Sequence, residues 1–77
     1  MKYFSEMLEN LLKENELTQK ELYINLGISK NQLHYWIKNK AEPDLEMLMK
    51  IAVYFDVSTD YLLGLEDDFG NKTGKKP

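Results

Sequence analysis

Apolar residues recur at three- and four-residue spacing along most of the chain, with polar residues between them. This period is that of an amphipathic α-helix that buries one face. It predicts a helix from about Tyr3 to Glu14 and another from Gln19 to Leu26. Three more short helices are predicted, one starting at Ser29, one after Asp44 and one from Ser58 to Gly64. The predicted fold class is all-α, a compact bundle of five short helices.

Two helix-starting signatures lie close together, TQKE at residues 18–21 and SKNQ at residues 29–32. In such a capping box the hydroxyl accepts from the backbone N–H three residues on, and the Glu or Gln there bonds back to the cap. Gly27, between the two, adopts the left-handed conformation at least cost. Two short helices joined by so few residues must meet at a steep angle, so the sequence predicts a helix-turn-helix.

The remaining elements follow similar signals. Asn39 is predicted to end the third helix in the left-handed conformation, and Asp44, after Pro43, to cap the fourth. Residues 66–77 are charged and contain one apolar residue, so residues 1–65 are predicted to form the domain and residues 66–77 a polar, mobile tail. The predicted buried face of the fourth helix comprises Leu45, Leu48, Ile51, Ala52 and Phe55.

Composition limits the class of protein. The 77 residues suffice for one domain, and 43% hydrophobic with 30% charged residues is typical of a globular chain. The absence of cysteine excludes disulfides and thiolate nucleophiles, and it is consistent with a reducing cytoplasm. Because no apolar run reaches the ~18 residues of a membrane span, we expect a cytoplasmic protein without a membrane partner.

Charge is unevenly distributed along the chain. The net charge of −3 by itself argues against a nucleic-acid partner. The third helix nevertheless has a polar, basic and aromatic face opposite an apolar stripe of Leu33, Trp36 and Ile37. Trp36 is therefore expected to pack in the core and not to stack on a base. The polar face comprises Lys30, Asn31, His34, Tyr35 and Lys38.

Several segments together carry a family resemblance: FSEMLENLL, LTQKEL, LGIS, Trp36, Pro43 and LMKIAVYFDVSTDYLLG. In this combination the chain resembles the helix-turn-helix family of Cro and phage-repressor type, the xenobiotic-response-element-like (XRE) regulators of lambda-repressor-like fold. The resemblance implies sequence-specific binding of a double-stranded DNA operator, with the third helix in the major groove.

The resemblance also implies which residues contact DNA. Asn can pair with adenine N6 and N7, and Lys can donate to guanine O6 and N7, so Asn31 is the leading candidate for direct readout. The implied base contacts are Lys30, Asn31 and Tyr35, with Gln32 and His34 at the margin. The implied phosphate contacts are Thr18, Gln19, Lys38 and Lys40.

Three features depart from the family pattern. Tyr23 stands where a small residue is usual between the second and third helices, so either its ring turns outward or the crossing opens. Glu16 stands where Gly is common, so Glu16 or Asn15 must take the left-handed conformation. The sequence contains no Arg, and bidentate guanidinium contacts are lacking. Weak or dimer-dependent DNA binding is therefore expected.

Self-association is predicted through the last helix, because its apolar residues offer more surface than a two-turn helix can bury on one side. The predicted dimer interface comprises Tyr61, Leu62 and Leu65. The resemblance implies a homodimer, at least on DNA, which would read two half-sites ~34 Å apart.

Catalysis is not indicated. His34 has no second His or Cys beside it to bind a metal, and Glu66, Asp67 and Asp68 lack the enclosed pocket that acid and base chemistry needs. We expect no enzyme activity, no cofactor and no metal. A small-molecule inducer is not expected either, because residues 66–77 are too few to form a sensor domain.

Two functions remain open. The preferred one is a sequence-specific DNA-binding transcriptional regulator that represses by occupying an operator in competition with polymerase, with the sign of regulation implied by the resemblance alone. The other is a protein-interaction module, such as an antitoxin that binds a protein partner, with weak or no DNA binding. The net charge, the absence of Arg and the apolar last helix favour the second function, and the basic face of the third helix opposes it.

Overall fold

The computed structural model describes residues 3–65, which contain helices and turns. The five helices are α1 (Phe4–Glu14), α2 (Gln19–Leu26), α3 (Lys30–Ile37), α4 (Leu45–Phe55) and α5 (Thr59–Leu62). The predicted all-α class is thus confirmed, and the helix bounds lie within a few residues of those that the periodicity predicts. The predicted tail, including Glu66, Asp67 and Asp68, lies outside the described residues.

Four of the helices begin at a side-chain cap. The caps are Thr18, Ser29, Asp44 and Ser58, and each accepts from the backbone N–H three residues on, at 3.1, 3.0, 2.8 and 2.9 Å. The capping box is complete at Thr18, where the Glu21 side chain accepts from the cap's N–H. At Ser29 the hydroxyl accepts from the Gln32 N–H as predicted, but the Gln32 side chain does not bond back to the cap.

A residue in the left-handed conformation follows each of the five helices. Gly27, Asn39 and Gly64 have φ of 72°, 58° and 77°, as predicted for the helix ends. After α1 it is Glu16 that adopts this conformation, with φ of 51°, while Asn15 donates from Nδ2 to the Leu11 carbonyl at 2.8 Å. Asp56 ends α4 with φ of 55°, which the sequence did not indicate.

One hydrophobic core holds the helices together. α1 contacts α3 and α5, α2 contacts α3, and α4 contacts α5. No polar or charged residue is buried among residues 3–65. Tyr23 is half-buried and packs on the core, so the bulky residue is accommodated beside α3. The buried hydrophobic residues that form this core are Phe4, Leu8, Leu11, Leu12, Leu22, Leu26, Leu33, Trp36, Leu48, Ile51, Ala52, Tyr61 and Leu62.

The prediction for Leu45 is wrong. Leu48, Ile51 and Ala52 are buried as predicted, and Phe55 is half-buried, but Leu45 is 76% exposed. Leu45 is the first residue of α4, and a helical side chain leans toward the N-terminus of its helix. Its side chain therefore extends beyond the end of the core.

The last helix was also predicted to leave apolar side chains exposed, and for Tyr61 and Leu62 this prediction is wrong. Tyr61 and Leu62 are only 6% and 0% exposed, because α5 packs against both α1 and α4. Leu65, beyond the helix, is 46% exposed. A dimer interface in this region would therefore have Leu65 as its exposed member.

The described helices have at most 11 residues, and none has the length and apolar character that crossing a membrane requires. Residues 3–65 also contain no group of three or more His, Cys, Asp or Glu side chains that could hold a metal ion.

Candidate nucleic-acid interface

The N-terminus of α2 is a compact polar unit. Thr18 Oγ1 accepts from Glu21 N at 3.1 Å and lies 2.9 Å from Glu21 Oε1, to which the hydroxyl donates. Thr18 is exposed, but this hydroxyl is already committed to the carboxylate. Gln19, the first residue of α2, is exposed too and carries an amide that can donate. Of the two predicted phosphate contacts at the start of α2, Gln19 is thus the one whose side chain is not used in the capping box.

The turn between α2 and α3 is short and tightly bonded. Gly27 reverses the chain, and the Ile28 N–H donates to the Tyr23 carbonyl at 3.0 Å. Ser29 then caps α3, so three residues separate the two helices. The predicted helix-turn-helix is therefore present.

The inner face of α3 is anchored in the core. Leu33 and Trp36 are each 1% exposed, and Ile37 is half-buried. The Trp36 ring meets the Phe4 ring of α1 edge to face. The expectation that Trp36 packs in the core is confirmed, so α3 is held by one face with its other face directed outward.

All five predicted base-contact residues lie on the outer part of α3 and are exposed: Lys30, Asn31, Gln32, His34 and Tyr35. The His34 and Tyr35 rings are 6.2 Å apart between centroids and inclined at 58°, which is a tilted and not a stacked arrangement. This surface offers amide, ammonium, imidazole and phenol groups on one helix. Such groups can donate to and accept from base edges in a major groove.

The last two predicted phosphate contacts lie at the C-terminal exit of α3. The Lys40 N–H donates to the Tyr35 carbonyl at 2.8 Å and the Asn39 N–H to the Trp36 carbonyl at 3.1 Å, which is the bonding of a Schellman motif. This motif fixes the backbone at Lys38 and Lys40, whose side chains are exposed. Cations near a helix C-terminus also interact favourably with the helix dipole.

Two contacts that the sequence did not indicate hold the turn against α4. Lys50 Nζ donates to the Leu26 carbonyl at 2.9 Å, at the C-terminal end of α2. Asn25 Nδ2 donates to Tyr54 Oη at 2.8 Å. These partners lie 24 and 29 residues apart in the sequence, so no local pattern reveals them. Both contacts attach the end of α2, and with it the start of α3, to the rest of the domain.

An open groove of about 370 Å³ lies where α1 meets α2. Apolar and polar side chains both line it, and the polar ones include Thr18 and Gln19. Its full lining is Glu9, Leu12, Lys13, Glu16, Leu17, Thr18 and Gln19. Because acidic and basic side chains both line it, the groove has no strong charge preference for a ligand.

The sequence and the fold of this chain match a known family. The family model described as Helix-turn-helix matches residues 8–62, which is most of the chain. The chain therefore belongs to the helix-turn-helix family of XRE type, and the predicted resemblance is confirmed.

Similar proteins carry regulator names. The HTH-type transcriptional regulator YobD of Bacillus subtilis (strain 168) is 34% identical over 73 residues, which cover 95% of this chain and 65% of YobD. ImmR of the same organism, also an HTH-type transcriptional regulator, is 40% identical over 50 residues, covering 65% of this chain and 39% of ImmR. The HTH-type transcriptional activator BcrR of Enterococcus faecalis is 34% identical over 64 residues, covering 83% of this chain and 31% of BcrR. This chain thus spans less than two thirds of the length of each.

A solved structure has the same fold. The solution structure of the SOS-response transcriptional repressor LexA from Eubacterium rectale superposes with a TM-score of 0.75 at 28% sequence identity. The match covers 96% of this chain and 77% of that one.

Proposed function

We propose that this chain is a sequence-specific double-stranded DNA-binding transcriptional regulator that places α3 in the major groove of an operator. The observation that carries the proposal is the division of α3 into two faces. Leu33 and Trp36 bury one face in the core, and the other presents only polar, basic or aromatic side chains. A helix fixed in this way can enter a major groove without unfolding any part of the domain.

Each exposed side chain of α3 has a role suited to its chemistry. Asn31 reads adenine through a bidentate amide contact, and Lys30 donates to guanine. Tyr35 and His34 contact base edges or the adjoining sugar, with Gln32 at the margin. These side chains set the preferred sequence, whereas the phosphate contacts set the register.

The phosphate contacts come from both ends of the helix-turn-helix. Gln19 donates to a phosphate from the start of α2, and Lys38 and Lys40 neutralise phosphates beside the exit of α3. Lysine acts as a point charge and lacks the fork geometry of arginine. With a net charge of −3 and no Arg, the chain binds DNA weakly as a single copy. Its affinity falls as salt rises, by about one unit of slope for each lysine that neutralises a phosphate.

The regulator acts as a homodimer that represses by occupying its operator and excluding polymerase. A single α3 reads only a few base pairs, and two copies related by a two-fold axis read an inverted repeat. The names of the similar proteins include a repressor, LexA, and an activator, BcrR. Repression is proposed here because occupation of a promoter operator needs no surface beyond the DNA-binding one.

Selection from a random duplex library with the purified chain, at ~0.1 M salt, tests this function. The proposal predicts enrichment of an inverted repeat with half-site centres about one helical turn apart. A control variant, Lys30→Ala with Asn31→Ala, changes only exposed side chains and should keep the helical circular dichroism signal but lose the enrichment. If the unmodified chain enriches no sequence, DNA regulation is excluded, and a protein-interaction role, such as that of an antitoxin, takes its place.

A further inference from the structure

An apolar stripe runs along the outer face of α4. Leu45, Met49 and Val53 follow one another at one-turn spacing and are 76%, 61% and 81% exposed. They are the three most exposed large apolar side chains among residues 3–65. We call these three residues the α4 stripe.

The α4 stripe is contiguous, which distinguishes it from single apolar residues scattered over a surface. Single apolar residues on a surface are common, but three in a row on one helix make a contiguous patch. Their exposed area is on the order of 400 Å², the size of the largest apolar patch on a typical monomer, which is often a functional one. The other side of α4 already buries Leu48 and Ile51, so the stripe does not serve the domain's own core.

Charges beside the stripe indicate what covers it. Glu46 and Lys50 lie one turn apart along the same edge of the stripe. Lys50 Nζ donates to the Leu26 carbonyl at 2.9 Å, which uses one of the three ammonium donors. Along this edge an acidic residue is followed one turn later by a basic residue. A second α4 helix that runs in the opposite direction would therefore place its basic residue beside this acidic one.

We infer that a second copy of this chain covers the α4 stripe, with the two α4 helices antiparallel about a two-fold axis. In this arrangement Met49 faces Met49 of the second copy, and Leu45 faces Val53 of the second copy. A two-fold axis between antiparallel helices places the same edge of each helix side by side. Glu46 of one copy then lies beside Lys50 of the other, twice. A parallel pair would bring opposite edges together and lose both charge pairs.

The choice of a second copy rests on the proposed homodimer, and the surface differs from the α5 residues expected from the sequence. Tyr61 and Leu62 are buried within the domain, whereas the α4 stripe is exposed on the surface that residues 3–65 form. The stripe is about half of the ~800 Å² per partner of a standard interface. Self-association in solution is therefore weak, and it strengthens when two copies bind neighbouring half-sites, which raises their effective concentration.

Sedimentation equilibrium of the purified chain without DNA tests the surface. The unmodified chain should show a mass that rises from monomer to dimer with concentration. Met49→Glu places two like charges at the two-fold axis and should weaken association roughly 30-fold or more. Ile24→Glu adds the same charge to an exposed apolar site on α2 and should leave the association constant unchanged. A chain that stays monomeric at all concentrations, or equal association by Met49→Glu and the unmodified chain, overturns the inference.

Cysteine variants test the geometry, because the natural chain contains no cysteine. With a short bismaleimide, Met49→Cys should cross-link to itself. Leu45→Cys and Val53→Cys should each cross-link poorly alone and efficiently when mixed. Efficient self-linking by all three variants would indicate a parallel pair and contradict the antiparallel arrangement.

Binding to a single half-site duplex separates this inference from the proposed function. Met49→Glu should bind an isolated half-site as well as the unmodified chain does and lose only the preference for the inverted repeat. If both proteins fail to bind any duplex while the unmodified chain still dimerises, the proposed DNA-binding function is wrong, but the α4 stripe remains the inferred dimer interface.

Discussion

The rings of Phe4 and Trp36 meet edge to face, with centroids 6.0 Å apart and planes at 78°. Both residues are buried, and the contact joins the first turn of α1 to the inner face of α3. Edge-to-face aromatic pairs contribute ~0.5–1.5 kcal/mol beyond the area they bury. The helix that is proposed to enter the major groove is therefore fixed to the body of the domain by one of its largest core contacts.

Phe4→Leu should destabilise the domain by ~1–2 kcal/mol, because the aromatic pair is lost and a small cavity remains. Urea unfolding followed by tryptophan fluorescence measures this change, since Trp36 is the one tryptophan in the chain. Tyr35→Leu, a matched change of an exposed aromatic residue, should alter stability by no more than ~0.5 kcal/mol. Equal effects of the two changes would show that the ring contact contributes nothing specific.

Gly64→Ala should destabilise the domain more than Gly27→Ala. Both glycines have positive φ, 77° and 72°, so an alanine at either position bears left-handed strain of ~1–2 kcal/mol. A Cβ at Gly64 would in addition lie 2.5 Å from Tyr3 Cδ2 and 2.7 Å from Tyr3 Cβ, whereas one at Gly27 meets nothing within 4 Å.

Since the Tyr3 atoms involved are near its backbone, the ring cannot move away at low cost, and the clash adds ~1–3 kcal/mol. The midpoints of urea unfolding for the two variants measure this difference. Gly64→Ala should cost less stability in a Tyr3→Ala background than in the unmodified chain, because the ring atoms Cγ and Cδ2 that it would meet are absent there. Identical midpoints for the two single glycine variants would refute the close approach of Tyr3.

Asn31→Ala should weaken binding to the preferred duplex by ~1–3 kcal/mol and relax the preference at one base pair, because a bidentate contact to adenine is lost. Competition between duplexes that differ at single base pairs measures this effect. Glu9→Ala, an exposed change on α1, is the control. If Asn31→Ala weakens binding to every duplex equally, Asn31 does not read a base.

Lys38→Gln and Lys40→Gln should each reduce the slope of log K against log salt by about one unit and weaken binding similarly for all sequences. The reason is that each lysine releases about one counterion when it neutralises a phosphate. Lys38→Arg keeps the charge and should keep the slope. A slope that does not change in the glutamine variants would remove these lysines from the interface.

Local signals in the sequence predicted most of the helix-turn-helix. Thr18 and Ser29 are hydroxyl residues placed before apolar segments, and Gly27 and Asn39 tolerate the left-handed conformation, so capping chemistry alone located both ends of α2 and α3. The same periodicity separated the buried Trp36 from the exposed face of α3. These features depend on residues a few positions apart.

Features that depend on tertiary position were not predictable in this way. Helical spacing placed Leu45 on the buried face of α4, but spacing does not reveal that the helix extends past the core at this end. Nor does it reveal that α5 is enclosed by two other helices, which buries Tyr61. The contact of Lys50 with the Leu26 carbonyl joins residues 24 positions apart and has no local signature.

Whether the outer face of α3 reads DNA sequence is tested most directly by titrating two duplexes with the purified chain over a range of salt, ~0.05–0.3 M. One duplex carries the sequence enriched by selection, and the other carries the same bases scrambled. We expect at least roughly 10³-fold tighter binding to the enriched duplex, and affinity for both duplexes that falls as salt rises. Equal affinity for the two duplexes at every salt concentration would contradict the claim that the outer face of α3 reads DNA sequence.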